Sequence, residues 1–146
     1  MNRLETLSQT MAEELGQATP DEQRAAALAA CEFAVPRAEL QHARVEEALE
    51  SLRMGRHRLS QRQRSGMEAL VRRLDGEYFD LQEAAEKTRE CADKCLRKFA
   101  QARAASAVLF AFGDDPYEAS SESLYEAASA VEDKAALFDV VKSALR

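Results

Sequence analysis

Between Leu81 and Leu109 the chain places Leu81, Ala85, Thr88, Ala92, Cys95, Phe99, Ala102, Ser106 and Leu109 at alternating steps of four and three. The same rhythm returns in Tyr117, Ser121, Leu124, Ala128, Val131, Ala135 and Phe138. A repeat near 3.5 residues keeps these positions on one side of an α-helix, whereas a strand would need alternation. Gly113-Asp114-Asp115-Pro116 separates the two stretches. Gly113 stops one helix, Asp115 caps the next, Pro116 takes its first position and Glu118 completes a box-like spacing. Two long seams joined by a tight turn predict an antiparallel helical hairpin. Most seam residues are small, so a neighbouring helix can approach closely. Each contributes little area, however, and at about 25 cal/mol per Å² the hairpin needs partners on further sides.

The rest of the chain supplies them. Of its 146 residues 28 are Ala and 16 are Leu, with no Ile or Trp and only seven Val and four Thr. Ala and Leu favour helices, whereas strands draw on β-branched and aromatic residues, so a sheet-based fold is excluded. Leu4, Leu7, Met11 and Leu15 predict a helix over 3–16, stopped near Gly16. Thr19-Pro20-Asp21-Glu22 starts another over 20–35, interrupted at Val35-Pro36. Val45, Ala48, Leu49 and Leu52 mark a third over 37–54, ending near Gly55. Ser60 and Gln63 have capping-box spacing and open a fourth over 60–75. Asp75-Gly76 is expected to interrupt it. With helices over 77–112 and 116–145, the last offering a second start at Asp133, the expectation is all-α: a single domain, a bundle of about six helices.

No stretch is apolar enough to span a bilayer and none has a secretory pattern, so a soluble, cytoplasmic protein is expected. Three cysteines do not make a disulfide framework. Cys91 and Cys95 share a helix face at a spacing that could hold a metal. A structural zinc site needs four ligands, and Cys31, His42 and His57 stand at no characteristic spacing, so buried apolar roles are expected. His42 and His57 read as isolated surface histidines. No nucleotide-binding glycine loop, nucleophile elbow or zinc-protease frame occurs, and no cofactor or enzymatic activity is expected.

The charge pattern is more informative. The net charge is −6. Even so, Arg53, Arg56, Arg58, Arg62 and Arg64 follow one another with no acid between them, and Arg72 and Arg73 come next. From Gly113 to Asp139 the acids Asp114, Asp115, Glu118, Glu122, Glu126, Glu132, Asp133 and Asp139 face Lys134 alone. The arginine block has three readings: a solvated loop or a brace for the protein's own acidic helix, a surface for a protein partner, or a nucleic-acid contact through Arg53–Arg73. The acidic chain and the lack of interleaved aromatics weigh against nucleic acid. Tyr117 and Tyr125 lie close to one helix face and suit either core packing or an interface. The candidate partner-binding residues are therefore Arg53, Arg56, Arg58, Arg62, Arg64, Tyr117 and Tyr125.

The stretches AALAACE (26–32), RVEEALESLRMGR (44–56), ARAASAVLFAF (102–112) and YEAASAV (125–131) stand in an order that resembles alanine-rich helical proteins of bacteria. Those are often catalogued as immunity proteins of polymorphic toxin systems, or as uncharacterised reading frames. Where they carry an aromatic before the glycine, this chain has Met54. The resemblance implies a binding protein that occludes another protein and carries no catalytic residues. A nucleic-acid-associated protein and a self-assembling helical protein are the alternatives.

Overall fold

The computed structural model describes residues 2–88 and 92–145. It is all-α: a 3₁₀ turn (Arg3–Thr6) is followed by α1 (Gln9–Gln17), α2 (Pro20–Arg37), α3 (Ala43–Arg53), α4 (Gln61–Thr88), α5 (Ala92–Phe110), α6 (Pro116–Ala130) and α7 (Lys134–Ala144). The described residues contain no strand. Seven α-helices, rather than about six, thus build the bundle, and five differences from the sequence expectation have local causes.

The first helix is divided. Ser8 caps α1 by accepting from the Met11 amide at 3.1 Å, which ends the 3₁₀ turn and restarts the chain. Pro36 does not end α2 at Val35, because it sits in the last turn, where a missing amide costs one bond only. The stop follows at Glu39, whose φ of 57° lets the Leu40 amide reach back to the Val35 carbonyl at 3.1 Å. α3 consequently starts at Ala43 rather than at Arg37, with the His42 ring accepting from the Arg44 amide at 3.1 Å.

Asp75-Gly76 does not interrupt α4. The Asp75 carboxylate accepts from Arg103 at 2.6 Å instead of capping a new helix. Leu74 is buried and Tyr78 packs its ring 5.2 Å from that of Phe99, so the apolar stripe holds the helix through the glycine. The expected helix over 77–112 is therefore shared between α4 and α5, which pack along each other. Thr88 and Ala92 of the expected seam lie where side chains are not described, and Cys91 lies outside the described residues. The helix expected over 116–145 breaks after Ala130, and Asp133 caps α7 on the Ala136 amide at 3.0 Å. That break shifts the phase, so α7 buries Leu137 and Val141 and leaves Ala135 exposed.

The core lies where α2, α5 and α6 meet, with α7 closing against α2. Ala30, Ala34, Ala104, Ala107, Ala127 and Ala128 are fully buried there, so small side chains bring three backbones close. Ser123 ties them together: its hydroxyl donates to the Ala107 carbonyl at 2.8 Å and lies 3.3 Å from the Cys31 sulfur. Burial pushes the Cys31 thiol up to about 12, against the opposing effect of its contact with the Ser123 hydroxyl, so it is neutral and apolar in character. Among the described residues no helix is long and apolar enough to cross a membrane.

Candidate partner-binding surface

The arginine block follows a helix stop. Gly55, at φ 77°, lets the Arg56 amide reach the Ser51 carbonyl at 2.9 Å and turns the chain out of α3. From there to Ser60 the chain alternates. Arg56 and Arg58 are exposed, whereas His57 and Leu59 are half-buried, Leu59 against the core. Ser60 then caps α4: its hydroxyl accepts from the Gln63 amide at 3.1 Å, and the Gln63 side chain accepts from the Ser60 amide at 2.9 Å. The segment is thus anchored at alternate residues and at both ends, and it does not stand clear of the bundle as a free loop.

The five arginines are separated by this geometry. Arg53 donates to Glu32 of α2 at 2.9 Å and lies 3.4 Å from Glu50, so it braces α3 on α2. Arg56, Arg58 and Arg62 are exposed and make no ion pair among the described residues. Arg64 is half-buried and lies about 200° around the helix from Arg62, so it does not share that face. Met54, which caps α3 beside the block, is 59% exposed. Burial, with the Arg24 charge, holds the His57 ring below the usual histidine range, against the opposing pull of Asp21. Arg24 itself is committed, donating to the Gly113 carbonyl at 2.7 Å and the Asp114 carbonyl at 3.0 Å at the α5–α6 turn. His42 is lowered likewise, by burial first and then by Arg73 and Arg44.

The tyrosines are used inside the molecule. The Tyr117 hydroxyl accepts from the Asn2 side chain at 2.7 Å, and the Arg3 guanidinium lies 4.3 Å from the centre of the Tyr125 ring. Both are half-buried under the N-terminal segment, and the structure does not join them to the arginine block.

The strongest polar cluster involves residues that the sequence did not single out as a group. Glu126 of α6 is only 2% exposed. It accepts from Arg3 at 3.1 Å and from Arg103 at 2.9 Å, while Arg103 also donates to Asp75 of α4 at 2.6 Å. Arg3 pairs with Glu122 as well. One buried carboxylate thereby fastens the N-terminus, α4, α5 and α6. A cavity of about 360 Å³ opens beside it, lined by Tyr78, Phe79, Phe99 and Tyr125 with the two arginines. Its charged groups pair with one another across four elements and so form a structural joint. No local signal in the sequence marks it, because Glu126 looks like one more acid on an acidic helix. Among the described residues no group of three or more His, Cys, Asp or Glu could hold a metal ion.

No family model matches the chain, and no curated protein or solved structure is measurably similar to it.

Proposed function

We propose that this chain is a non-enzymatic helical binding module that docks on the acidic surface of a partner protein. The observation that carries the reading is the exposure of Arg56, Arg58 and Arg62, unpaired among the described residues, on a segment pinned by Leu59 against the core and by the Ser60 cap. A pinned segment loses little freedom on binding, and guanidinium groups match carboxylates in two-pronged geometry. Met54, exposed next to them, supplies an adaptable apolar contact. Such a patch on an acidic protein steers association and sets its salt dependence. Docking of this kind fits the mode of an immunity or inhibitor protein that occludes a larger partner.

The test places a photo-cross-linking residue at position 54 and irradiates cells of the native host. The expected product is an adduct with one protein of acidic surface, lost when Arg56, Arg58 and Arg62 are all changed to Gln. An adduct with nucleic acid supports the nucleic-acid reading in its place. The absence of any adduct, or one indifferent to the three substitutions, removes the arginine surface as the docking site.

A further inference from the structure

Among the described residues, α4 carries a face that no other element covers. Ala69, Arg72, Arg73, Gly76, Phe79, Asp80 and Glu83 are all exposed, and at 100° per residue they form one continuous stripe on the side away from buried Leu70 and Leu74. Three features of this stripe suit contact with another helix. Gly76 stands mid-helix, where glycine is a poor helix former, and a side chain added there would meet nothing within 4 Å. Phe79 is 60% exposed. The charges are sorted along the helix, with Arg72 and Arg73 before the glycine and Asp80 and Glu83 after it. Of these four only Arg73 has an ion-pair partner among the described residues, half-buried Glu77 at 3.6 Å.

The sorting is antisymmetric about Gly76. Position 72 lies as far before it as position 80 lies after it, and 69 and 83 are related likewise. A helix with that pattern is complementary to a second copy of itself running the other way. We infer that two copies of this chain pair through α4, antiparallel across a two-fold axis at Gly76. The absent side chain lets the two backbones approach closely at the crossing. Arg73 of each copy then lies alongside Asp80 of the other and Arg72 alongside Glu83, twice over by symmetry, and Phe79 is covered beside Arg72 of the second copy. A parallel pairing would set like charges together, so the sequence selects the antiparallel one. Of the docking surface proposed above, Arg56 and Arg58 lie beyond the N-terminal end of α4, whereas Arg62 stands on α4 two turns before Ala69; none of the substitutions that test the pairing touches these three arginines.

A single pair of helix faces is small for an interface, so association should be weak, with a Kd on the order of 10–100 μM. The test is sedimentation equilibrium on the full chain at low salt, up to about 200 μM so that the dimer is populated by mass action. The expected result is a monomer–dimer equilibrium that weakens as salt rises. Gly76→Gln should raise the dissociation constant at least tenfold while leaving the circular dichroism of the monomer helical. The decisive experiment uses two charge variants. Arg72→Glu with Arg73→Glu makes the stripe wholly acidic, and Asp80→Arg with Glu83→Arg makes it wholly basic. Each should be monomeric alone, and the two should form a one-to-one dimer when mixed, because in that pair both ends of the antiparallel contact are attractive. A wild-type chain that stays monomeric at the highest concentration overturns the inference. So does a dimer indifferent to Gly76→Gln, or a mixture of the two charge variants that fails to associate.

Discussion

The guanidinium of Arg3 lies over the ring of Tyr125, 4.3 Å from its centre, so a side chain from the first turn of the protein closes over α6. The same group pairs with Glu122 and with buried Glu126, which Arg103 holds from the other side. The two arginines should not be equivalent. Arg3 is 45% exposed along its side chain and Arg103 21%. Arg3→Ala removes partly solvated pairs and a cation–π contact, an expected loss of about 1–2 kcal/mol. Arg103→Met leaves Glu126 buried with a single partner and frees Asp75 as well, an expected loss of about 3–5 kcal/mol. Urea unfolding of both variants checks the order. Equal losses would mean that Glu126 is less committed to Arg103 than the geometry shows.

Two exposed glycines should respond to alanine in opposite directions. Neither an added Cβ at Gly55 nor one at Gly76 meets any atom within 4 Å, so space does not separate them. Backbone does: Gly55 lies at φ 77°, where L side chains are strained, and Gly76 lies inside α4. Gly55→Ala should therefore destabilise by about 1–2 kcal/mol. Gly76→Ala should stabilise the monomer by up to about 1 kcal/mol through helix propensity. Thermal melts of dilute protein, where self-association does not contribute, measure both. A stabilising Gly55→Ala would show that the turn out of α3 is not held at its left-handed geometry.

These two glycines also show what the sequence could and could not reveal. Helix starts were legible where one side chain and an amide three residues on suffice: Thr19 on Glu22, Ser60 on Gln63 and Asp115 on Glu118. The stop at Gly55 was legible for the same local reason. Asp75-Gly76 carries an equally local signal for a break, but Arg103 draws the Asp75 carboxylate away and the α4 stripe continues. Glu126 was illegible altogether. Its partners stand 123 and 23 positions distant, and only the packed bundle brings them together. The arginine block lies between these cases. The exposure of Arg56, Arg58 and Arg62 followed from their charge, but the half-burial of Arg64 and the inward alternation of His57 and Leu59 depend on the bundle behind them.

His57 predicts a loss of stability in mild acid. Burial and the Arg24 charge hold its folded pKa below the unfolded value of 6.5. As pH falls past 6.5, the unfolded chain takes up a proton that the folded ring resists, so the unfolded state binds more protons and stability falls. The contribution is complete above the unfolded pKa and is lost between that value and the lower folded one. His42 is shifted the same way and adds to the slope. Denaturant midpoints measured across this range should fall as the solution is acidified, and His57→Gln should flatten part of the curve. A slope unchanged in that variant would assign the whole effect to other groups, His42 first. The Glu77 carboxyl, held below its usual range by Lys98 against a smaller opposing effect of burial, contributes a separate loss at lower pH.

Removing the arginine block should leave the fold almost untouched, with one exception. Arg56, Arg58 and Arg62 have no ion-pair partner among the described residues, so their joint change to Gln should alter unfolding free energy by less than about 1 kcal/mol. Arg53→Gln removes the bridge from α3 to Glu32 of α2, a pair in which both side chains are 42% exposed. Its loss should cost about 0.5–1 kcal/mol. If the block instead braced the acidic helix, the triple variant would loosen α6 and speed its proteolysis. The geometry argues against that outcome, because Glu122 and Glu126 of α6 are held by Arg3 and Arg103 and by none of the block. Limited proteolysis with mass mapping of fragments between residues 116 and 130 separates the cases. Cleavage there at the wild-type rate in the triple variant, and faster in Arg103→Met, is the expected pattern. The reverse pattern would return the arginines to a structural role and remove the reason for treating their surface as a docking site.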